Sequence, residues 1–330
     1  MTAGARDRHG PWKRGPVPAA LALLLGLLML LHAWITDRGG LGSLVETFLP
    51  WCGLLVPLLL AWALWRRSAA AAVALLLPAV VWLHLFGPLL GDRSRPGGGD
   101  LTVAEHNVGD ANPDPSRTAR DLAASDADVL ALVELTEQAG GTYEKELART
   151  YPYHSVQGTV GVWSRYPLSD TRPVDTAIDV GPLASAKPAG VRLASNRALR
   201  TTVATDHGPL AVYVAHLGSV RLMPRGGFWT DSRDRNAQAL AEALAAERNE
   251  RVVLLGDLNG TTDDRALDGI TARLRSAQAE AGAGFGFTWP ATFPMVRIDQ
   301  ILLHGVTAYD ARVLPATGSD HLPVVASVGW

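Results

Sequence analysis

Three long apolar stretches, at residues 18–35, 44–65 and 69–90, dominate the start of the chain and constrain it more than any other feature. A hydrocarbon layer of ~30 Å takes about 20 helical residues to cross, and each stretch is close to that length. In hydrocarbon every backbone polar group must be satisfied within its own segment, so runs of this size read as spanning helices. Three transmembrane helices are therefore expected in a membrane domain at 1–91. Arg6, Arg8, Lys13 and Arg14 precede the first stretch, and Arg66 with Arg67 fill the turn between the second and third. Basic residues collect on the cytoplasmic side, which predicts a multi-pass cell-membrane protein with a cytoplasmic N-terminus and an extracytoplasmic C-terminal domain. A cleaved signal peptide is the competing reading of the first stretch, but no small-x-small site follows Leu31 and two more apolar stretches come after it. Cys52, the only cysteine, lies in an apolar run, so intrachain disulfides and cysteine-based zinc sites are excluded.

Residues 92–99, with Pro96 and a glycine triplet, read as a linker to a second domain at 100–330. There, short apolar runs alternate with helical patterns, which predicts a mixed α/β domain. Strands are expected at 101–106, 129–133, 161–164, 210–215, 251–255, 298–303 and 323–328, and helices at 117–124, 143–149, 231–248 and 263–275. The stretch 167–200 reads as loop-rich. Charge separates the two parts: nine Lys/Arg against four Asp/Glu before Asp100, then 21 against 28 from Asp100 onward. Nonspecific nucleic-acid binding depends on a basic stripe that neutralises phosphates, so no nucleic-acid partner is expected.

Polar residues punctuate the strand ends. Asn107 closes the first strand, where its amide can hold a metal-bound water or a phosphate oxygen, although a lone Asn there also suits a turn. Glu134 follows five apolar residues, a costly place for a carboxylate unless it is paired or binds a cation. His216 ends the strand at 210–215, either bonded at the core rim or contacting or protonating a phosphate oxygen. Asp257 and Asn259 follow Gly256; two apart, they point to one side of an extended chain, one orienting a water and the other binding a phosphoryl group. Asp299 borders an apolar strand and can orient His321, fixing the ring tautomer and stabilising its imidazolium. Asp320 and His321 can supply metal contact and acid/base or phosphate contact. These oxygen donors suit Mg²⁺ or Mn²⁺, and the scattered histidines show no zinc spacing. Phosphoryl transfer needs mainly positioning and charge neutralisation, which one hard cation with Asn and His donors provides. Walker A and Gly-x-Ser-x-Gly patterns are both missing.

Taken together, His106-Asn107-Val108, Glu134, Ser164-Arg165-Tyr166-Pro167, Ala215-His216-Leu217, Gly256-Asp257-Leu258-Asn259, Arg297-Ile298-Asp299 and Ser319-Asp320-His321 resemble the endonuclease/exonuclease/phosphatase superfamily. The resemblance implies a four-layer α/β/β/α sandwich with a divalent-metal site at one edge. It implies Glu134 as principal metal ligand with Asn107 and Asp320 beside it. Asp257 would orient the attacking water, Asn259 and His216 would contact phosphate, and the Asp299–His321 pair would stabilise the transition state. Gly109 stands where some nucleases of the superfamily carry an acidic residue, and Asp110 is out of phase with that position. Three spans before an external catalytic domain resemble, by architecture, the membrane proteins associated with teicoplanin resistance, the VanJ type. That implies a membrane-anchored phosphohydrolase acting on an extracytoplasmic lipid-linked phosphate or pyrophosphate, such as a polyprenyl pyrophosphate or cell-wall precursor, with a link to glycopeptide resistance. The alternatives are an extracellular nuclease or sphingomyelinase-like phosphodiesterase, and a catalytically inactive binding or sensor protein. Residues 220–230, with Arg221, Met223, Pro224, Arg225, Phe228 and Trp229, either pack over the sandwich edge or dip into the membrane interface.

Overall fold

The computed structural model describes residues 12, 14–176, 197–223 and 227–330, so Arg6, Arg8, Lys13, Pro224 and Arg225 lie outside the described residues. The chain divides into two compact units, Met1–Pro88 and Leu89–Trp330. In the first, two helical runs are long and apolar enough to cross a membrane: Arg38–Trp65, of 28 residues, and Ala69–Leu90, of 22. The stretch expected to span at 18–35 is shorter. Its helix, Pro16–Leu30, has 15 residues and ends at Leu31, after which His32–Trp34 form a 3-10 turn. At about 1.5 Å per residue such a helix falls short of a ~30 Å layer. Small residues let these helices approach one another: Ala22, Ala63 and Ala71 are buried together with Leu75. Leu24, Leu58, Leu64 and Leu76 point outward and are more than 60% exposed.

In the second unit the strands run, in chain order, β1 (Leu101–Asn107), β2 (Val129–Val133), β3 (Tyr153–Gln157), β4 (Val160–Ser164), β5 (Leu168–Pro173), β6 (Ala198–Thr205), β7 (Gly208–His216), β8 (Arg221–Met223), β9 (Gly227–Trp229), β10 (Val252–Asp257), β11 (Arg275–Ser276), β12 (Asp299–His304), β13 (Thr307–Val313) and β14 (Val324–Gly329). They build one sheet in the order β13-β14-β1-β2-β4-β3, a second in the order β11-β12-β10-β7-β6-β5, and a β8-β9 hairpin. Within each large sheet one central pair is parallel, β1 with β2 and β10 with β7.

The sequence of β2, Val-Leu-Ala-Leu-Val, shows why the layers form. Val129, Ala131 and Val133 face the second sheet in a shared core with Val212, Val214, Val253 and Leu255. Leu130 and Leu132 face the other way, against Ala119 and Leu122 of helix Pro115–Ala123 and Leu147 of helix Glu137–Leu147. A strand covered on both faces is apolar throughout, without polar alternation. The second sheet repeats the arrangement, its outer face packing through Tyr213 and Leu254 on Leu240 and Leu244 of helix Asp231–Ala245. Helix, sheet, sheet and helix thus form the four layers that the resemblance implied.

Seven strands escaped the sequence reading: β3, β5, β6, β8, β9, β11 and β13. β5 and the start of β6 fell in the stretch read as loop-rich, and the polar Arg200, Thr201 and Thr202 of β6 break the apolar pattern and are partnered by tertiary contacts. The helix expected at 263–275 is instead a 3-10 turn, Arg265–Leu267, and a four-residue helix, Asp268–Thr271. Arg275 and Ser276 leave the helical path to pair with Leu303 and Leu302, so sheet pairing outcompetes helix propensity. Residues 92–99 are fastened along the domain: Asp92 bridges Ala283, the Arg95 amide donates to the Tyr309 carbonyl at 2.7 Å, and the Gly99 amide donates to Ser327 Oγ at 2.7 Å. Trp229 is buried at 8% exposure, so it packs within the domain, and within the hairpin it is Leu222 that is exposed.

A Cβ on Gly256 would meet the carbonyl oxygen of Ala215, its partner on β7, at 1.8 Å. Gly256→Ala should therefore push β10 away from β7 and cost about 1–3 kcal/mol in urea unfolding of the domain. Unchanged stability would show that the approach is looser than described.

Candidate active site

The parallel pairs explain how distant residues meet. β1 and β2 end together, with Asn107 opposite Val133 and Glu134 one residue beyond. In the second sheet Asp257 sits between two neighbours, opposite His216 on β7 and opposite Asp299 on β12. The two sheets are joined at this edge by a hydrogen bond from Asn107 Nδ2 to Asp257 Oδ2 at 3.0 Å. Two backbone departures aim the loops. Glu134 has φ 64° and Asn259 φ 47°, left-handed conformations that are uncommon for residues other than glycine and that concentrate at functional sites.

Around Asp257 the polar groups close into a network. The Asn259 amide N–H donates to Asp257 Oδ1 at 2.8 Å and its side-chain Nδ2 to Oδ2 at 3.2 Å. His216 Nε2 lies 3.6 Å and His321 Nε2 3.9 Å from Asp257 Oδ2. On its far side His321 Nδ1 donates to Asp299 at 2.9 and 3.0 Å, which leaves Nε2 facing Asp257 and Asn107. Ser319 holds the loop in place: its Oγ donates to the Asn107 carbonyl at 2.7 Å and accepts the His321 amide at 3.1 Å.

Burial sets the electrostatics. Burial alone would lower the His321 pKa, but Asp299 and Asp257 outweigh it and raise it to about 10, so the ring is an imidazolium at neutral pH. Asp257 is pushed up by burial and by Asp299, with His321 opposing. His216 goes well below 6.5 through burial and through the charges of Arg197 and His321. A histidine held neutral suits contact with a phosphate oxygen; of the two roles read for it from sequence, protonation is the one this environment disfavours.

Glu134 is half-buried, and burial raises its pKa, helped by Asp110 and Asp320 and opposed by Asn107 and His321. Asp110, out of phase in the sequence, thus comes close enough to act on Glu134. All eight residues singled out from sequence, Asn107, Glu134, His216, Asp257, Asn259, Asp299, Asp320 and His321, are linked at this edge by these contacts and fields. The carboxylates that repel one another around Glu134, with the Asn107 amide, form an oxygen-donor set that fits a hard divalent cation such as Mg²⁺ or Mn²⁺. Asp257, Asp299 and His321 also place ligand atoms within 4.8 Å of one another and could hold an ion. Their polar atoms already satisfy one another, so we favour the Glu134 side on chemical grounds. A cation there would neutralise charge on a phosphoryl group.

Several participants gave no sequence signal. Glu105 lies two residues before Asn107, fully buried, with neither carboxylate oxygen hydrogen-bonded among the described residues. Burial, Asp299 and Asp257 raise its pKa well above 4.5, and only Arg297 opposes them. Arg233, 1% exposed, donates to the Asn259 carbonyl at 3.1 Å and to Asp264 Oδ2 at 2.8 Å, bracing the left-handed turn. Trp289 Nε1 donates to Asp320 Oδ2 at 3.2 Å. Only their tertiary neighbours identify these residues.

A double β-sheet sandwich with acid, amide and imidazole groups at the strand ends defines a class of α/β proteins built to handle phosphoesters. A profile of the endonuclease/exonuclease/phosphatase family matches residues 85–321, and the chain belongs to that family. Its members are generally metal-dependent hydrolases of phosphoester bonds. Among solved structures, SmcL superposes with a TM-score of 0.55 at 17% identity, covering 70% of this chain and 99% of that one. Beta toxin 275-280 from Staphylococcus aureus gives 0.52 at 16% identity, covering 69% and 99%. D. rerio TDP2 complexed with single strand DNA product gives 0.54 at 18%, covering 69% and 98%. At these identities the likeness shows the fold. No curated protein sequence matches the chain.

Because the folded pKa of His321 lies above its usual 6.5, the pair with Asp299 stabilises the fold fully below about pH 6.5 and loses that contribution as pH rises through about 10. Asp299→Asn removes the first of the groups that raise it. In metal-free protein the NMR titration of the His321 ring should then move down from about 10 toward 6.5; an unmoved titration would refute this account of the pair.

Proposed function

We propose that this protein is a membrane-anchored, divalent-metal-dependent phosphohydrolase that cleaves a lipid-linked phosphate or pyrophosphate on the outer face of the cell membrane. A polyprenyl pyrophosphate or a lipid-linked wall precursor is the substrate class that fits, and a contribution to glycopeptide resistance would follow from consuming such a molecule. One observation carries the reading: the family's site lies on the same chain as two helices long and apolar enough to cross a bilayer, with Arg66 and Arg67 in the turn between them, which suits a cytoplasmic turn and an outer-face domain, and with ten residues between Leu90 and the start of β1 at Leu101. The outward leucines of the first unit support it, since exposed apolar surface of that extent is a liability in water.

A phosphodiesterase acting on DNA is the second reading, favoured by the DNA product held by the D. rerio neighbour. The excess of acidic residues from Asp100 onward opposes it, since nucleic-acid phosphates would be repelled over a Debye length. The test is direct. Purified full-length protein in detergent is incubated with polyprenyl pyrophosphate, lipid-linked precursor, phospholipid and DNA, with and without EDTA. Phosphate release from a polyprenyl or precursor lipid, abolished by EDTA, is expected, with His321→Ala lowering kcat by roughly 10²–10⁴-fold. Preference for DNA, or release that survives EDTA, would overturn the proposal.

A further inference from the structure

We propose that Arg197 is a phosphate-binding residue of this site, its guanidinium taking a non-bridging oxygen of the substrate's phosphoryl group beside Asn259. The inference rests on the phosphohydrolase reading above and adds a residue that the motifs do not contain. Arg197 stands immediately before β6, and its carbonyl accepts the His216 amide at 2.8 Å, which sets the two residues side by side across the β6–β7 ladder. Its Nη2 donates to the Leu217 carbonyl at 2.9 Å. Asn259 Nδ2 donates to that same carbonyl at 3.1 Å. Two side chains that share one acceptor are pinned against each other, so the guanidinium and the Asn259 amide lie side by side, with His216 next to Arg197 across the ladder.

Acidic groups border these donors. Glu134 and Asp257 both lie near enough to act on the Arg197 charge. Yet no carboxylate among the described residues is within ion-pair distance of Arg197, and its Nε is buried with no hydrogen-bond partner. A half-buried guanidinium whose Nε–H is buried and unspent is costly unless something accepts that donor. It presents N–H groups in a planar fork that matches two oxygens of a phosphate. The Arg197 cation, together with a metal ion held on the Glu134 side, would grip a phosphoryl group and neutralise charge as the bond to the leaving oxygen breaks.

The test uses full-length protein in detergent with Mg²⁺ and inorganic phosphate as probe, read by isothermal calorimetry beside kcat and KM on a lipid phosphate. Arg197→Met should weaken phosphate binding by at least ~10-fold while Mg²⁺ affinity and melting temperature stay near wild type. Arg197→Lys keeps the charge without the fork and should fall between the two. A folded Arg197→Met protein that binds phosphate like the wild type overturns the proposal, as does a wild type that binds none. If Arg197→Met fails to fold, the Arg197 Nε–H resonance of the wild type decides: it should shift as phosphate is added, and an unmoved resonance sinks the assignment. Phosphate bound through Arg197 without turnover of any lipid would instead remove the proposed reaction and leave this site standing.

Discussion

The hydrogen bond from Asn107 to Asp257 is the contact on which the site depends, because it is the place where one sheet's chemistry touches the other's. Asn107 ends β1 and Asp257 ends β10, in sheets otherwise held together by apolar packing. Apolar contact is non-directional and fixes the separation of two sheets better than their relative slide. A directional bond at the rim fixes the slide. With that done, β2 carries Glu134 to the same edge, β7 carries His216, and β12 carries Asp299.

This edge concentrates buried charge that a core would not tolerate. Glu105, Asp257 and Asp299 are each at most 1% exposed, and the cations that face them are His321 and Arg297. Burial lowers the Arg297 pKa to about 10 even with Asp299 and Glu105 pulling it upward, so it remains charged at neutral pH. Removing one member of such a set leaves the others uncompensated, which is why buried ionic groups are sensitive to single substitutions. The apolar layers on either side supply the stability that this arrangement lacks, and the left-handed residues Glu134 and Asn259 sit where the same layers hold the chain rigidly.

Much of this was legible in the sequence, and the reasons it was legible are physical. Central strands such as β2 and β10 are buried on both faces, so they appear as short unbroken apolar runs that end abruptly at a polar residue. Glu134 and Asp257 are conspicuous for that reason. Edge and near-edge strands such as β5, β6 and β13 carry polar residues whose partners lie elsewhere in the fold, and their pattern is lost in one dimension. Arg197 and Glu105 were hidden by the same logic. Arg197 follows a stretch without a pattern, and Glu105 sits inside a strand whose burial is apparent only when Asp257 and Asp299 are brought against it. The first apolar stretch outruns its helix for a simpler cause: hydropathy continues past Leu30, but the helix does not.

The division of labour between the two histidines follows from their surroundings. Both are buried, and burial acts on both in the same direction, toward the neutral ring. His321 escapes because both oxygens of one carboxylate accept from its Nδ1 and a second carboxylate faces its Nε2. His216 meets a carboxylate only at 3.6 Å and has Arg197 beside it, so nothing reverses the effect of burial. Around one Asp257 oxygen the site therefore holds a positive ring that can stabilise charge developing on an oxygen and a neutral ring that can contact an anion without competing for its proton. The separation is achieved by neighbours alone, since the two side chains are chemically identical.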